Sequence, residues 1–174
     1  GGIWEGKFND DVTSSIIKED WFNACIDAHI KLGIKVRGLR NAACDPSDVG
    51  NDPCGYAART GIVFEDIDEI EAENGNRKMD EACKRAIMYQ ADSFGYDADG
   101  LGATLRDNVD KAFSGKKTQI YAYKGSTSIH DPKAEFKSET AELTNRKGKI
   151  LNEDVLDNKK AQNIINIAER IFNT

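Results

Sequence analysis

The segment between Cys44 and Cys54 constrains the fold more than any other part of the sequence. It holds two of the chain's three prolines together with glycine, asparagine and aspartates, and it shows neither helical nor strand periodicity. Proline removes a backbone donor, and Asn and Asp favour turns, so residues of this kind end regular elements. We therefore expect a loop over 45–53, with separate elements on either side.

The four cysteines predict a disulfide framework. Their number is even, and Cys25 and Cys83 complete a set that permits two bonds in three connectivities. A bond between Cys44 and Cys54 would hold the loop, and a bond between Cys25 and Cys83 would join two predicted helices. Reduced cysteines packed in a core are the alternative. No Cys-x-x-Cys motif or histidine spacing predicts a metal site.

Hydrophobic periodicity predicts an α+β fold. Apolar residues at three- and four-residue steps predict helices at about 15–32, 77–93, 102–113 and 153–172. Short strands are expected at 34–37 and 62–64, and a strand at 118–123 that pairs with 134–143 as a hairpin. The expected fold is a predominantly helical N-terminal part with a small antiparallel sheet or hairpin and a long C-terminal helix.

We expect one compact domain over 1–174, with a helical, cysteine-bearing sub-lobe at 1–115 and a hairpin plus C-terminal helix at 116–174. The hydrophobic share of 39% and the net charge of -6 exclude a disordered chain. Residues 1–100 contain 20 acidic and 11 basic side chains, whereas residues 101–174 contain 10 acidic and 13 basic ones. Since the chain is acidic and has no nucleic-acid-reading motif, we expect nucleic acid to be an unlikely partner. No segment is apolar enough to span a membrane.

Two groups of aspartates are candidates for a cation site. If Asp97 is the first position of a calcium loop, Leu101 occupies the fifth and Asn108 the twelfth, so two ligands of that motif are missing. The second group lies in the loop after Cys44 and comprises Asp45, Asp48 and Asp52. We predict no bound metal and no cofactor.

One pattern resembles an enzyme family. Arg37 ends one predicted strand, and Ser126, Thr127 and Ser128 end another, which is similar to two of the three motifs of the mono-ADP-ribosyltransferase toxins. In that family the Arg helps to bind NAD, the Ser-Thr-Ser strand shapes the pocket and a Glu stabilises the transition state. The Glu-x-Glu motif of the family is missing, and only Glu153 stands downstream. The resemblance implies an NAD site formed by these five residues.

No catalytic set is assembled in the sequence, which favours a binding protein over an enzyme. The chain begins Gly1-Gly2 without Met, which we interpret as a matured, secreted chain. The expected function is that of a secreted, disulfide-stabilised interaction protein of toxin-subunit or effector type, which binds a protein or a membrane surface. The alternatives are a small secreted enzyme similar to the ADP-ribosyltransferases and a structural subunit of an assembly such as a viral shell.

Overall fold

The computed structural model describes residues 17–46, 53–137 and 150–172. In these ranges the helices are α1 (Glu19–Cys25), α2 (Ala28–Lys31), α3 (Gly75–Met88), α4 (Arg106–Phe113), α5 (Asn152–Val155) and α6 (Lys159–Phe172). The strands are β1 (Arg40–Asp45), β2 (Cys54–Thr60), β3 (Val63–Ile70), β4 (Ser93–Asp97) and β5 (Gln119–Tyr123). A 3-10 turn at Gly100–Ala103 precedes α4.

The chain divides into two compact units. The sheet unit is Ile34–Gly125, and the helical unit combines Gly1–Gly33 with Ser126–Thr174. The expectation of one domain with sub-lobes at 1–115 and 116–174 stays a prediction.

The sheet unit contains a mixed five-stranded sheet in the order β3-β2-β1-β4-β5. The first three strands form an antiparallel meander, whereas β1 pairs with β4 and β4 with β5 in parallel. Parallel neighbours need a crossover connection, and α3 and α4 supply the two crossovers. The carboxyl ends of β1 and β4 therefore lie side by side at one edge of the sheet.

The core lies between one face of the sheet and helices α3 and α4. On this first face every second strand residue is buried, as Ala42 and Cys44 are in β1 and Phe94 and Tyr96 are in β4. Met79, Ala82, Cys83 and Ala86 of α3 and Val109 and Phe113 of α4 complete the cluster. Because strand side chains alternate between faces, the residues between the buried ones lie on a second face.

The helical unit is held by contacts between its two ends. Helices α1 and α6 pack together, and the Cys25 thiol lies 4.0 Å from the Ile171 carbonyl oxygen. Two hydrogen bonds join the backbone of His130 to the side chain of Gln162, at 2.7 and 2.9 Å. Ala168 of α6 is fully buried.

The predicted fold class is wrong, because the dominant element is a mixed sheet and not a helical part with a small hairpin. The strand expected at 118–123 exists as β5, but its partner is β4 in parallel. Glu135 of the expected second hairpin strand forms an isolated bridge with Leu151, and residues 138–143 lie outside the described residues. The stretch expected as a strand at 34–37 has no regular structure.

The predicted helices exist in shorter forms. The first is divided into α1 and α2 at Asp27, whose φ of 56° is left-handed. The second ends at Met88, five residues early, because Ser93 begins β4. The last divides into α5 and α6, since Leu156 takes an extended conformation. Apolar spacing located these helices but did not locate their ends.

Candidate functional site

Two aspartates end neighbouring parallel strands and form what we call the carboxylate pair. Cys44 of β1 and Tyr96 of β4 are Cα partners in the parallel ladder, and Asp45 and Asp97 follow them directly. Since Cys44 and Tyr96 face the core, both aspartates lie on the second face. Adjacent strands lie about 4.8 Å apart, so the two carboxylates belong to one site.

Two hydrogen bonds fix the end of β4. The Asp97 Oδ1 accepts a hydrogen bond of 2.9 Å from the Asp99 N–H, which turns the chain immediately after the strand. The Ala98 N–H donates to the Tyr123 carbonyl at 2.7 Å and continues the contact between β4 and β5. Asp97 is half-buried and Asp45 is exposed. The Asp97 carboxylate of β4 is therefore held in place by its hydrogen bond, whereas the Asp45 carboxylate of β1 is accessible to solvent.

The donor chemistry of this site suits a hard divalent cation. Carboxylate oxygens are the ligands that Mg²⁺ and Mn²⁺ prefer, whereas thiolates and imidazoles select softer metals. Within the described ranges, no three His, Cys, Asp or Glu side chains form a metal-binding group. A pair of carboxylates is still sufficient, because Mg²⁺ is commonly held by one or two carboxylates together with substrate phosphates.

The cysteines predicted to form disulfides are free thiols. Cys44 and Cys54 lie on the first face beside each other, and Cys83 of α3 packs in the same core. A hydrogen bond with the Cys54 thiol and burial raise the pKa of Cys44, and burial raises the pKa of Cys83 to about 12. Both thiols are therefore neutral at physiological pH and act as small apolar core residues. Cys25 belongs to the helical unit, and the structure forms neither predicted bond.

The residues predicted to bind NAD are divided between the two units. Arg37 lies in the sheet unit, in the exposed segment before β1. Ser126, Thr127 and Ser128 follow β5 and belong to the helical unit, as does Glu153. The Glu153 carboxylate lies 2.6 Å from the Lys133 ammonium, and this ion pair raises the pKa of Lys133. These contacts give Glu153 a structural partner.

The chain is similar to viral nuclease domains of known structure. It is 39% identical to the nuclease domain of the large terminase subunit gp2 of bacterial virus Sf6, with a TM-score of 0.76. A lysine-to-alanine mutant of that domain, solved with manganese and beta-thujaplicinol, and a second solved with calcium match equally well. Each match covers 91% of this chain and 64% of the viral nuclease chain, so this chain spans less than two thirds of the length of those domains. The chain has the RNase H-like fold of these domains. No protein-family model and no curated protein matches it.

The similar structures, together with the free cysteines, overturn four predictions. The expectation of a secreted interaction protein of toxin or effector type is wrong, because the similar structures are nuclease domains of a viral terminase. The predicted secreted location is wrong for the same reason, and the predicted disulfides are wrong because the cysteines are free thiols. The expectation that nucleic acid is an unlikely partner is also wrong, since the net charge of the whole chain says nothing about one edge of the sheet. In the ranges 17–46, 53–137 and 150–172, no helix has both the length and the hydrophobicity of a transmembrane segment.

The sequence does not bring the two members of the carboxylate pair together. Asp45 falls in a candidate group with Asp48 and Asp52, and Asp97 falls at the first position of a candidate calcium loop. The signal that could have joined them is that each aspartate directly follows a short stretch without polar side chains other than a tyrosine, 42–44 and 94–96, and precedes turn-forming residues. Residues 47–52, with two of these aspartates, lie outside the described residues.

Proposed function

We propose that this protein is the nuclease part of a viral large terminase subunit, and that it cuts DNA with divalent cations held at Asp45 and Asp97. The observation that carries the proposal is the carboxylate pair itself. The pair lies at the ends of two neighbouring parallel strands, β1 and β4. The sequence of the chain is 39% identical to that of a terminase nuclease domain solved with manganese. Neither aspartate packs in the core, because both lie on the second face.

The chemistry of phosphodiester hydrolysis explains why two carboxylates are placed together. A divalent cation held by Asp45 and Asp97 would supply charge that offsets the phosphate and would make water a stronger nucleophile. The residues of this chain contribute position and charge. Asp97 is fixed by its bond from the Asp99 N–H, and Asp45 by the pairing of β1 on both sides. Their two negative charges would repel a DNA phosphate unless a cation lies between them.

Cleavage of DNA by matched variants tests the proposal. We expect the purified protein to cut duplex DNA with Mn²⁺ or Mg²⁺ and to stop when EDTA is added. Asp45→Asn and Asp97→Asn should each reduce the rate by at least about a hundredfold, since each removes a metal ligand and its charge.

Asp110→Asn is the control, because that carboxylate lies on α4 in an ion pair with Arg106 at 3.5 Å. It should retain the wild-type rate. Absence of cleavage by the folded wild-type protein with either cation would overturn the proposal, as would full activity of either pair variant.

A further inference from the structure

A row of polar side chains crosses the second face at the end remote from the carboxylate pair. Asn41 of β1 is the Cα partner of Arg59 in β2 and of Ser93 in β4, and Ser93 is the partner of Gln119 in β5. The Ser93 hydroxyl donates to the Asn41 side-chain oxygen at 2.6 Å, which ties two strands of the row. Arg59 is the one cation in this row.

Small residues occupy the second face of β1, β2 and β4 between the row and the carboxylate pair, flanked by the exposed side chains of Ile67 in β3 and Tyr121 in β5. The next row holds Ala57, Ala43 and Gly95 in neighbouring strands, and Gly55 pairs with Asp45. On the second face of these three strands, no side chain between the two ends is longer than a methyl group. A chain that lies across these strands can therefore approach the sheet backbone closely.

The packing of the sheet does not require the two glycines. A Cβ atom at Gly55 would meet no atom closer than 3.9 Å, and one at Gly95 none closer than 3.8 Å, which is ordinary contact. Neither residue has a positive φ. Glycine weakens a strand, and in a strand interior it often marks the close approach of a ligand or another backbone. This observation points to an occupant of the second face.

The Arg59 guanidinium is oriented by the turn that follows its strand. Its Nη1 donates to the Gly61 carbonyl, and a guanidinium carries five N–H donors, so this bond uses one of them. The register of β2 and β3 shifts between Ala58 and Arg59, and such bulges re-aim a side chain. A guanidinium held in this way presents a planar fork that fits phosphate oxygens.

The spacing relates Arg59 to the carboxylate pair. Gly55 is the partner of Asp45, and Arg59 lies four residues further along β2 on the same face. Four residues of strand span about 13 Å, and each strand of B-form DNA advances about 3.4 Å per nucleotide. We infer that Arg59 binds a phosphate of the DNA strand about four nucleotides from the bond that is cut. This inference rests on the proposed nuclease function.

Salt-dependent DNA binding tests the inference without cleavage. The anisotropy of a labelled duplex is measured with Ca²⁺ in place of Mn²⁺ or Mg²⁺, over a range of salt concentrations, for the wild type, Arg59→Gln and Arg59→Lys, and a gel of each sample checks that the duplex is intact. Arg59→Gln should weaken binding by about fivefold and reduce the slope of log K against log salt by about one, because one phosphate contact is lost. Arg59→Lys should retain the slope, since it keeps the charge.

Arg77→Gln is the matched control, because Arg77 lies on α3, which packs on the first face. Wild-type affinity and slope in Arg59→Gln would overturn the inference, as would an equal loss in Arg77→Gln. In cleavage, Arg59→Gln should raise KM and leave kcat unchanged. The nuclease proposal fails separately: a wild-type protein that binds DNA but never cuts it would overturn that function, and the salt slope would still decide the role of Arg59.

Discussion

Tyr56 shows how the core of the sheet unit depends on pH at the level of a single residue. Burial, and then the nearby Asp66 carboxylate, raise the pKa of Tyr56 to about 12 from an ordinary value of 10. The Arg85 guanidinium lies 5.8 Å from the centre of its ring. The fold therefore favours the neutral phenol. This contribution to stability is complete below pH 10 and is lost as the pH rises from 10 to 12.

Tyr56→Phe should accordingly make the free energy of unfolding less dependent on pH between 10 and 12. The measurement is urea unfolding at several pH values from 8 to 11.5. The pKa of Cys83 is also about 12, so the stability that its neutral thiol contributes is lost over an overlapping pH range. The slope of the free energy of unfolding against pH should therefore fall in Tyr56→Phe without vanishing. Tyr121→Phe is the control, because Tyr121 is exposed. An unchanged slope in Tyr56→Phe would contradict the assignment.

At the scale of elements, the turn between β2 and β3 depends on one glycine. Gly61 has a φ of +59°, and a Cβ at this position would lie 2.1 Å from the Arg37 carbonyl oxygen. The Gly61 N–H also donates to the Leu39 carbonyl at 2.9 Å. The segment before β1 therefore packs directly against this turn, and only glycine combines the left-handed backbone with so close an approach.

Gly61→Ala should lower the free energy of unfolding by about 2–4 kcal/mol, from backbone strain and from displacement of the segment at Arg37. Gly115→Ala separates these two effects. Gly115 has a similar φ of +71° but no atom within 4 Å of the added carbon, so about 1 kcal/mol is expected. Chemical denaturation of both variants measures the difference. Equal losses would show that the contact with Arg37 carries no energy.

Some elements could be predicted from the sequence because their signal is local. The helical stripe of α3 and the β-branched, aromatic run of β5 were both located. The strands β1 and β4 were missed, because alanine, asparagine and glycine have low strand propensity and gain their stability from neighbours. In β3 the acidic residues at 65–69 are exposed on an edge strand, and Ile67 and Ile70 imitate helical spacing. The strands β1, β3 and β4 are therefore determined by pairing with neighbouring strands and not by the strand propensity of their residues.

For the whole molecule, the decisive step is the parallel pairing of β1 with β4. Asp45 and Asp97 are 52 residues apart in sequence, and no periodicity within either strand indicates that they meet. The site depends on a strand order that only the assembled sheet contains. For the same reason the net charge of -6 does not indicate the partner, because it averages over the whole surface, whereas a divalent cation held at the pair would neutralise the two carboxylates locally.

The two neighbouring charges of the carboxylate pair predict that divalent cations stabilise the whole protein. A ligand that binds only the folded state at a hundred times its Kd adds about 2.7 kcal/mol to the free energy of unfolding. For a chain of this size that corresponds to a rise in Tm of roughly 5–10 °C. Thermal unfolding with Mn²⁺, and again after excess EDTA, measures the rise and its reversal.

The rise should vanish in Asp45→Asn combined with Asp97→Asn and persist in Asp110→Asn. Without Mn²⁺ the double variant should be at least as stable as the wild type, because two like charges at one edge of the sheet repel each other and asparagine removes both. A cation that binds elsewhere would stabilise the double variant as much as the wild type. That result would place the metal away from the carboxylate pair, even if DNA cleavage required the cation.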